Sequence, residues 1–150
     1  MGASAERIRQ DIVTFAGFCS SGPGTNRLSF TPEYWAAVDY VADQMAALGY
    51  ERKTTAHGNT RFRKRGADWR EPAVAVGSHL DAVPRGGRFD GVAGVVAGVE
   101  LARLLDAMGV RLGRPYELIV FAKRRARASE ASWPAPKRSS AGSLIASWAR

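Results

Sequence analysis

The sequence predicts an α/β fold containing a parallel βαβ unit, and three observations carry that expectation. Two short, apolar, β-rich runs, AVAVGS (73–78) and YELIVFA (116–122), read as buried strands. The segment 92–108 between them is long and apolar enough to be a helix. Two parallel strands need a crossover of that kind.

The remaining elements follow in chain order. Ile8, Ile12, Phe15 and Cys19 recur at spacings of three or four, which places them on one face of a helix. SSGPGTNR (20–27) reads as a loop, rich in residues that interrupt regular structure. Thr31 is a good N-cap, with Pro32 and Glu33 in the first turn of a second helix. Val38, Val41, Met45 and Leu48 form its apolar face, and Gly49 ends it. ERKTTA and TRFRKR flank His57, Gly58 and Asn59, so a hairpin is expected with Gly58 and Asn59 in its turn. His57 then sits exposed at that turn, and Trp35 and Tyr40 read as packing or surface aromatics. Gly109 closes the helix begun at Val92, and no internal repeat is present.

Composition narrows the class. A hydrophobic fraction of 45% over 150 residues is enough for one modest domain with a core. No apolar run reaches the length of a membrane span, and MGASAERIRQD lacks the apolar stretch of a secretory signal. Cys19 is the only cysteine, which excludes an internal disulfide and a cysteine-rich metal site. A cytoplasmic location is expected. The net charge of +8 points to nucleic acid only until it is located. Residues 123–150 carry seven Lys/Arg against one Glu, whereas residues 1–122 carry fifteen against thirteen Asp/Glu. The basicity therefore belongs to a tail rich in Ala, Ser, Arg and Pro, and a boundary is placed at Ala122. Lys123, Arg124, Arg125, Arg127, Lys137 and Arg138 offer phosphate contacts there, with Trp133 and Trp148 available for stacking. No recognised nucleic-acid module accompanies them, so specific nucleic-acid binding is not expected. The tail's composition is that of a disordered basic extension.

The segment GSHLDAVPRGGRFDG (77–91) concentrates the chemistry. It holds one of two histidines, two aspartates and four glycines, directly after an apolar strand. Ligands of open α/β sheets bind beyond the carboxyl ends of the strands. His79 lies at that end, and Asp81, two residues on, shares its face if the backbone stays extended. Asp90 lies at the entry to the next helix, where an N-cap is the plain alternative. Imidazole and carboxylate are good ligands for Zn²⁺, and a second carboxylate can fix the tautomer of the imidazole. A lone His-x-Asp is more often a capped turn, so spacing alone leaves both readings open.

The longer stretch GSHLDAVPRGGRFDGVAGVVAGVELARLL resembles the metal-binding segment of the zinc-dependent amidases of the hydantoinase/carbamoylase family. That family includes N-carbamoyl-L-amino-acid hydrolases, allantoate amidohydrolases and ureidoglycolate-type hydrolases. NRLSFTPEYWAAVDYVADQMAALGY is similar to its N-terminal helical region, HGNTRFR to its hairpin and YELIVFA to its next strand, so the resemblance covers roughly residues 5–122. It implies the first part of a di-zinc aminopeptidase-like catalytic domain on a mostly parallel sheet. It also implies two divalent metal ions (Zn, Mn or Co), a small N-carbamoyl or ureido substrate, and a homodimer formed through a smaller domain not contained in these 150 residues. His79 would ligate one metal, Asp81 would orient that histidine, and Asp90 would bridge the two ions. The wider group of di-zinc peptidases and aminoacylases is the neighbouring alternative.

The resemblance also implies a Glu-Glu pair immediately after YELIVFA, supplying a general base and a metal ligand. Arg124 and Arg125 stand there instead. A guanidinium cannot ligate Zn²⁺ and cannot act as a base at neutral pH. Codon degeneracy permits the tail, reread one nucleotide upstream, to give Glu-Glu-Gly-Ala-Arg-Phe-Gly. Residues 124–150 are therefore expected to be a frameshifted tail. The chain is expected to be inactive alone and to hold no metal stably.

Overall fold

The structure is a computed structural model, and it describes residues 2–65 and 67–122. Among these residues nine elements follow in order: α1 (Ala5–Gly17), β1 (Thr25–Arg27), α2 (Pro32–Ala47), β2 (Tyr50–Thr54), β3 (Thr60–Lys64), β4 (Val74–His79), β5 (Ala82–Gly86), α3 (Val92–Ala107) and β6 (Tyr116–Phe121). The expectations for the tail, its disorder and its shifted frame, fall outside the described residues.

Local chemistry sets the ends of these elements. Ser4 caps α1, its hydroxyl accepting from the Arg7 N–H, and Thr31 caps α2 by accepting from Tyr34. Gly49 closes α2 with φ at 76°, a conformation that favours glycine. The hairpin forms as expected, with β2 and β3 paired antiparallel and the turn between Thr54 and Thr60. Cys19 lies beyond the end of α1, so the helical spacing of Ile8, Ile12 and Phe15 stops one turn short of it.

Four strands form one sheet in the order β2-β3-β6-β4. The parallel βαβ unit is present: β4 and β6 pair in parallel from Val74↔Tyr116 to His79↔Phe121, joined through α3. The expectation of a mostly parallel sheet is corrected, because β2·β3 and β3·β6 are both antiparallel. The physical reason is the hairpin. Its tight turn reverses the chain, and β3 rather than another crossover strand fills the place beside β6. A second correction concerns AVAVGS. The strand is not buried on both faces: Val74 is half-exposed and Ala75 and Gly77 are exposed. Among the described residues β4 is an edge strand, and the helices cover only one side of it.

The core lies on that covered side. Tyr34, Val38, Val41 and Met45 of α2 and Val95, Val96, Val99 and Ala102 of α3 pack against Phe62, Leu118 and Val120 of the sheet. Gly98 is needed for the close approach of α3. A Cβ there would come 2.5 Å from Leu118 Cδ1, and Tyr116 donates its hydroxyl to the Gly98 carbonyl at 2.8 Å. No helix among the described residues is long and apolar enough to cross a membrane.

A second, two-stranded sheet is made by β1 and β5, antiparallel with a register irregularity. Neither strand was expected. TNR is too short to show alternation, and AVPRG carries proline and glycine, so only long-range pairing makes strands of them.

Candidate functional site

The carboxyl end of β4 brings together the three residues singled out from the sequence. β4 stops at His79, Leu80 turns into the core, and Asp81 is buried before β5 begins. His79 Nδ1 lies 2.9 Å from the Asp81 carbonyl oxygen and 3.2 Å from Asp81 Oδ1. On the other side of the ring, Nε2 lies 3.6 Å from Asp90 Oδ1. His79 and Asp81 thus meet, but through a bend after the strand and not, as the extended-backbone expectation had it, along a continuing one.

This contact pattern selects a tautomer. A carbonyl oxygen can only accept, so Nδ1 carries the proton when it bonds to the Asp81 carbonyl. Nε2 then presents a lone pair toward the Asp90 carboxylate. Two such atoms attract only with a proton or another cation between them. The site is graded in depth: the Asp81 side chain is 2% exposed, His79 18% and Asp90 39%.

Glycines seat α3 on this strand end. Gly91, with φ at 70°, is the N-cap of α3, and the helix has no side-chain cap hydrogen bond. The N-cap reading of Asp90 is thereby corrected, since Asp90 stands one residue earlier. A Cβ on Gly91 would run into the His79 carbonyl oxygen and come 2.5 Å from Nδ1. Ser78 donates its hydroxyl to the Gly91 carbonyl at 2.8 Å, and a Cβ on Gly94 would lie 2.6 Å from that hydroxyl. The close approach requires glycine at both positions.

Two buried residues behind Asp81 escaped the sequence reading. Arg27 is 1% exposed and Tyr34 is fully buried. Arg27 Nε donates to the Leu80 carbonyl at 2.6 Å, and Nη1 donates to the carbonyls of Phe15 and Phe18, each at 2.8 Å. Burial lowers the pKa of Arg27, against opposing influences from Cys19 and Asp81. Burial, assisted by the charge of Asp81, pushes the Tyr34 hydroxyl up to about 12. Arg27 sits in a stretch that reads as loop, and nothing in SSGPGTNR marks its arginine as buried.

The neighbouring strand end lies alongside. His79 pairs with Phe121, so the residue after β6 is adjacent to the site. The hairpin turn reaches the same place: Asn59 Oδ1 accepts from the Ala122 N–H at 3.0 Å, while His57 stays exposed. Among the described residues no group of three or more His, Cys, Asp or Glu side chains is gathered closely enough to hold a metal ion.

No family model matches the chain. The chain is 42% identical over 119 residues to the N-carbamoyl-L-amino-acid amidohydrolase of Paenarthrobacter aurescens, covering 79% of this chain and 29% of that protein. It is 44% identical over 118 residues to the corresponding enzyme of Geobacillus stearothermophilus, covering 77% and 29%. The chain belongs to the hydantoinase/carbamoylase family of amidohydrolases. Solved structures agree with this assignment. A hydantoinase/carbamoylase family amidase from Burkholderia ambifaria matches with a TM-score of 0.73 at 33% identity, covering 79% of this chain and 30% of that one. The crystal structure of AtUAH in complex with glyoxylate matches with a TM-score of 0.74 at 32% identity, covering 81% and 29%. This family member spans about 29% of the length of the curated relatives named here. Its described α/β fold corresponds to the N-terminal part of the carbamoylase catalytic domain.

Proposed function

We propose that residues 1–122 form the opening part of the catalytic domain of a metal-dependent amidohydrolase acting on a linear carbamoyl, ureido or amide C–N bond. In this reading His79 and Asp90 donate to divalent cations and Asp81 orients His79. Residues 123–150 lie outside the domain as a basic, non-homologous tail. The observation that carries the reading is the arrangement of His79. Its Nδ1 is held by Asp81, and its Nε2 faces the Asp90 carboxylate at 3.6 Å. A histidine ligand held through its second nitrogen is the usual arrangement at metal sites. The donor chemistry therefore fits Zn²⁺, Mn²⁺ or Co²⁺ as part of a site.

Bound divalent metal lowers the pKa of water and polarises a carbonyl oxygen. The chain's own contribution is to hold the imidazole in one tautomer and to set a carboxylate opposite it. Two protein donors fall short of the three that a catalytic zinc takes. In the sequence, the segment following YELIVFA carries Arg124 and Arg125, which supply neither ligand nor base. The 150-residue chain is therefore proposed to bind metal weakly and to turn over nothing alone.

Titration of the full chain with Mn²⁺ tests this. Paramagnetic broadening is expected at the His79 ring well before the exposed His57 ring, and Asp90→Asn should weaken it about tenfold or more. No hydrolysis of N-carbamoyl amino acids or allantoate is expected with Zn²⁺, Mn²⁺ or Co²⁺. Equal broadening of both histidines would remove the metal reading. Turnover that disappears in His79→Ala would overturn the proposed inactivity.

A further inference from the structure

We infer that Arg27 is a positioning residue for His79: by fixing the Leu80 carbonyl it sets the bend that aims the Asp81 carbonyl at Nδ1, and so holds the imidazole in the Nδ1–H tautomer. This deepens the proposed function and rests on it for its consequence, that Nε2 is the donor atom.

The argument begins with the backbone. For the Asp81 carbonyl to reach the ring of His79, the chain must leave β4 and turn within two residues. Leu80, at the centre of that turn, is fully buried. A buried carbonyl needs a donor, and Arg27 Nε supplies it at 2.6 Å. The same guanidinium donates to the carbonyl of Phe15, which also accepts from the C-cap N–H, and to that of the C-cap residue Phe18 at the end of α1. One rigid planar group thus spans the end of α1 and the bend after β4. Arg27 is itself held in place, because its backbone pairs with Ala82, the first residue after Asp81. The bend is therefore clamped from the backbone on one side and from the guanidinium on the other. Arg27 also brings a positive charge near the buried Asp81 carboxylate. No side chain with a single head group reproduces a fork that bonds three carbonyls.

The rival account is that Arg27 only caps α1, in which case its loss destabilises the chain but leaves the His79 ring as it is. The chain has two histidines, so both rings are separately visible and His57 is an internal reference. The experiment uses the metal-free, ¹⁵N-labelled full chain at a pH where both imidazoles are neutral. Long-range ¹H–¹⁵N correlation reads the tautomers. Wild type is expected to show His79 as Nδ1–H and His57 as the solvent mixture. In Arg27→Gln the Nε2–H fraction at His79 should rise several-fold, with His57 unchanged. Arg27→Lys keeps the charge without the fork and should move His79 in the same direction. Val41→Ala, a truncation of a buried core residue that makes none of the guanidinium's hydrogen bonds, should lower stability and leave the tautomer alone.

An unchanged His79 tautomer in a folded Arg27→Lys or Arg27→Gln chain overturns the inference. So does an equal change in Val41→Ala. If neither arginine variant folds, the tautomer claim fails as well, since Arg27 then serves the fold and not the ring. Because no metal is present, failure here leaves the manganese result at His79 standing, and the reverse also holds.

Discussion

Beneath α2 and α3 the four-stranded sheet is dry: Phe62, Leu118 and Val120 are at most 1% exposed. Its opposite face, on the same strands, is built differently. Phe121 is 40% exposed there, with its ring against Gly77. Toward the other end of β6 on the same face, Glu117 is buried as a charge. Arg61 donates to it through Nε at 2.5 Å and Nη2 at 2.9 Å, and Arg63 donates from the other side. Arg63 also bonds the carbonyls of Asp68 and Glu71, and the Trp69 ring lies over both arginines and Lys53. One face is held by apolar contact with helices. The other is held by hydrogen-bonded charge and, among the described residues, leaves its apolar strip at β6 and β4 open. Two faces of one sheet therefore differ in what a single substitution removes.

The largest expected effect is on the dry face. Leu118→Ala should cost about 3–5 kcal/mol, the range for a fully buried leucine whose cavity cannot collapse. Ile119→Ala, one residue on and pointing the other way, should cost under about 1 kcal/mol. Urea unfolding of the two variants sharpens the contrast, and equal losses would break it.

The charged part of the open face gives the next effect. Glu117→Gln should cost about 2–4 kcal/mol, because two arginines then lose the charge that justifies their desolvation. If the loss is below about 0.5 kcal/mol, water rather than Glu117 stabilises those arginines, and the face is more open than its geometry says.

The smallest effect is an acid sensitivity on the helical side. Glu100 of α3 is buried and accepts from Arg7, from the Ser4 N–H and from Arg103. The Arg7 hydrogen bond, chief among these influences, holds its pKa at about 2, below the ordinary 4.5. A folded value below the unfolded one means stability that is complete above about 4.5 and is lost as pH falls toward about 2. Glu100→Gln should cost about 1–2 kcal/mol at neutral pH and flatten the pH dependence in that window. Chemical denaturation at several pH values reads this, and an unchanged acid slope would assign it to other carboxylates.

The sequence by itself determined what depends on near neighbours. Thr31 and Gly49 mark the ends of α2 because capping and positive φ are decided within a turn. The hairpin follows from Gly58 and Asn59, and the β4–α3–β6 order from apolar runs of distinct length. His79, Asp81 and Asp90 were legible as a group for the same reason, since one strand end, one bend and one helix entry carry all three. Tertiary structure alone decided the rest. Among the described residues it made β4 an edge strand with one uncovered face, turned TNR and AVPRG into a pair of strands, and seated Gly91 and Gly94 against β4. It also buried Arg27 behind Asp81. Each of these depends on groups far apart in the chain satisfying one another's hydrogen bonds or excluding one another's water. No local pattern of residue types records which distant partner will be there.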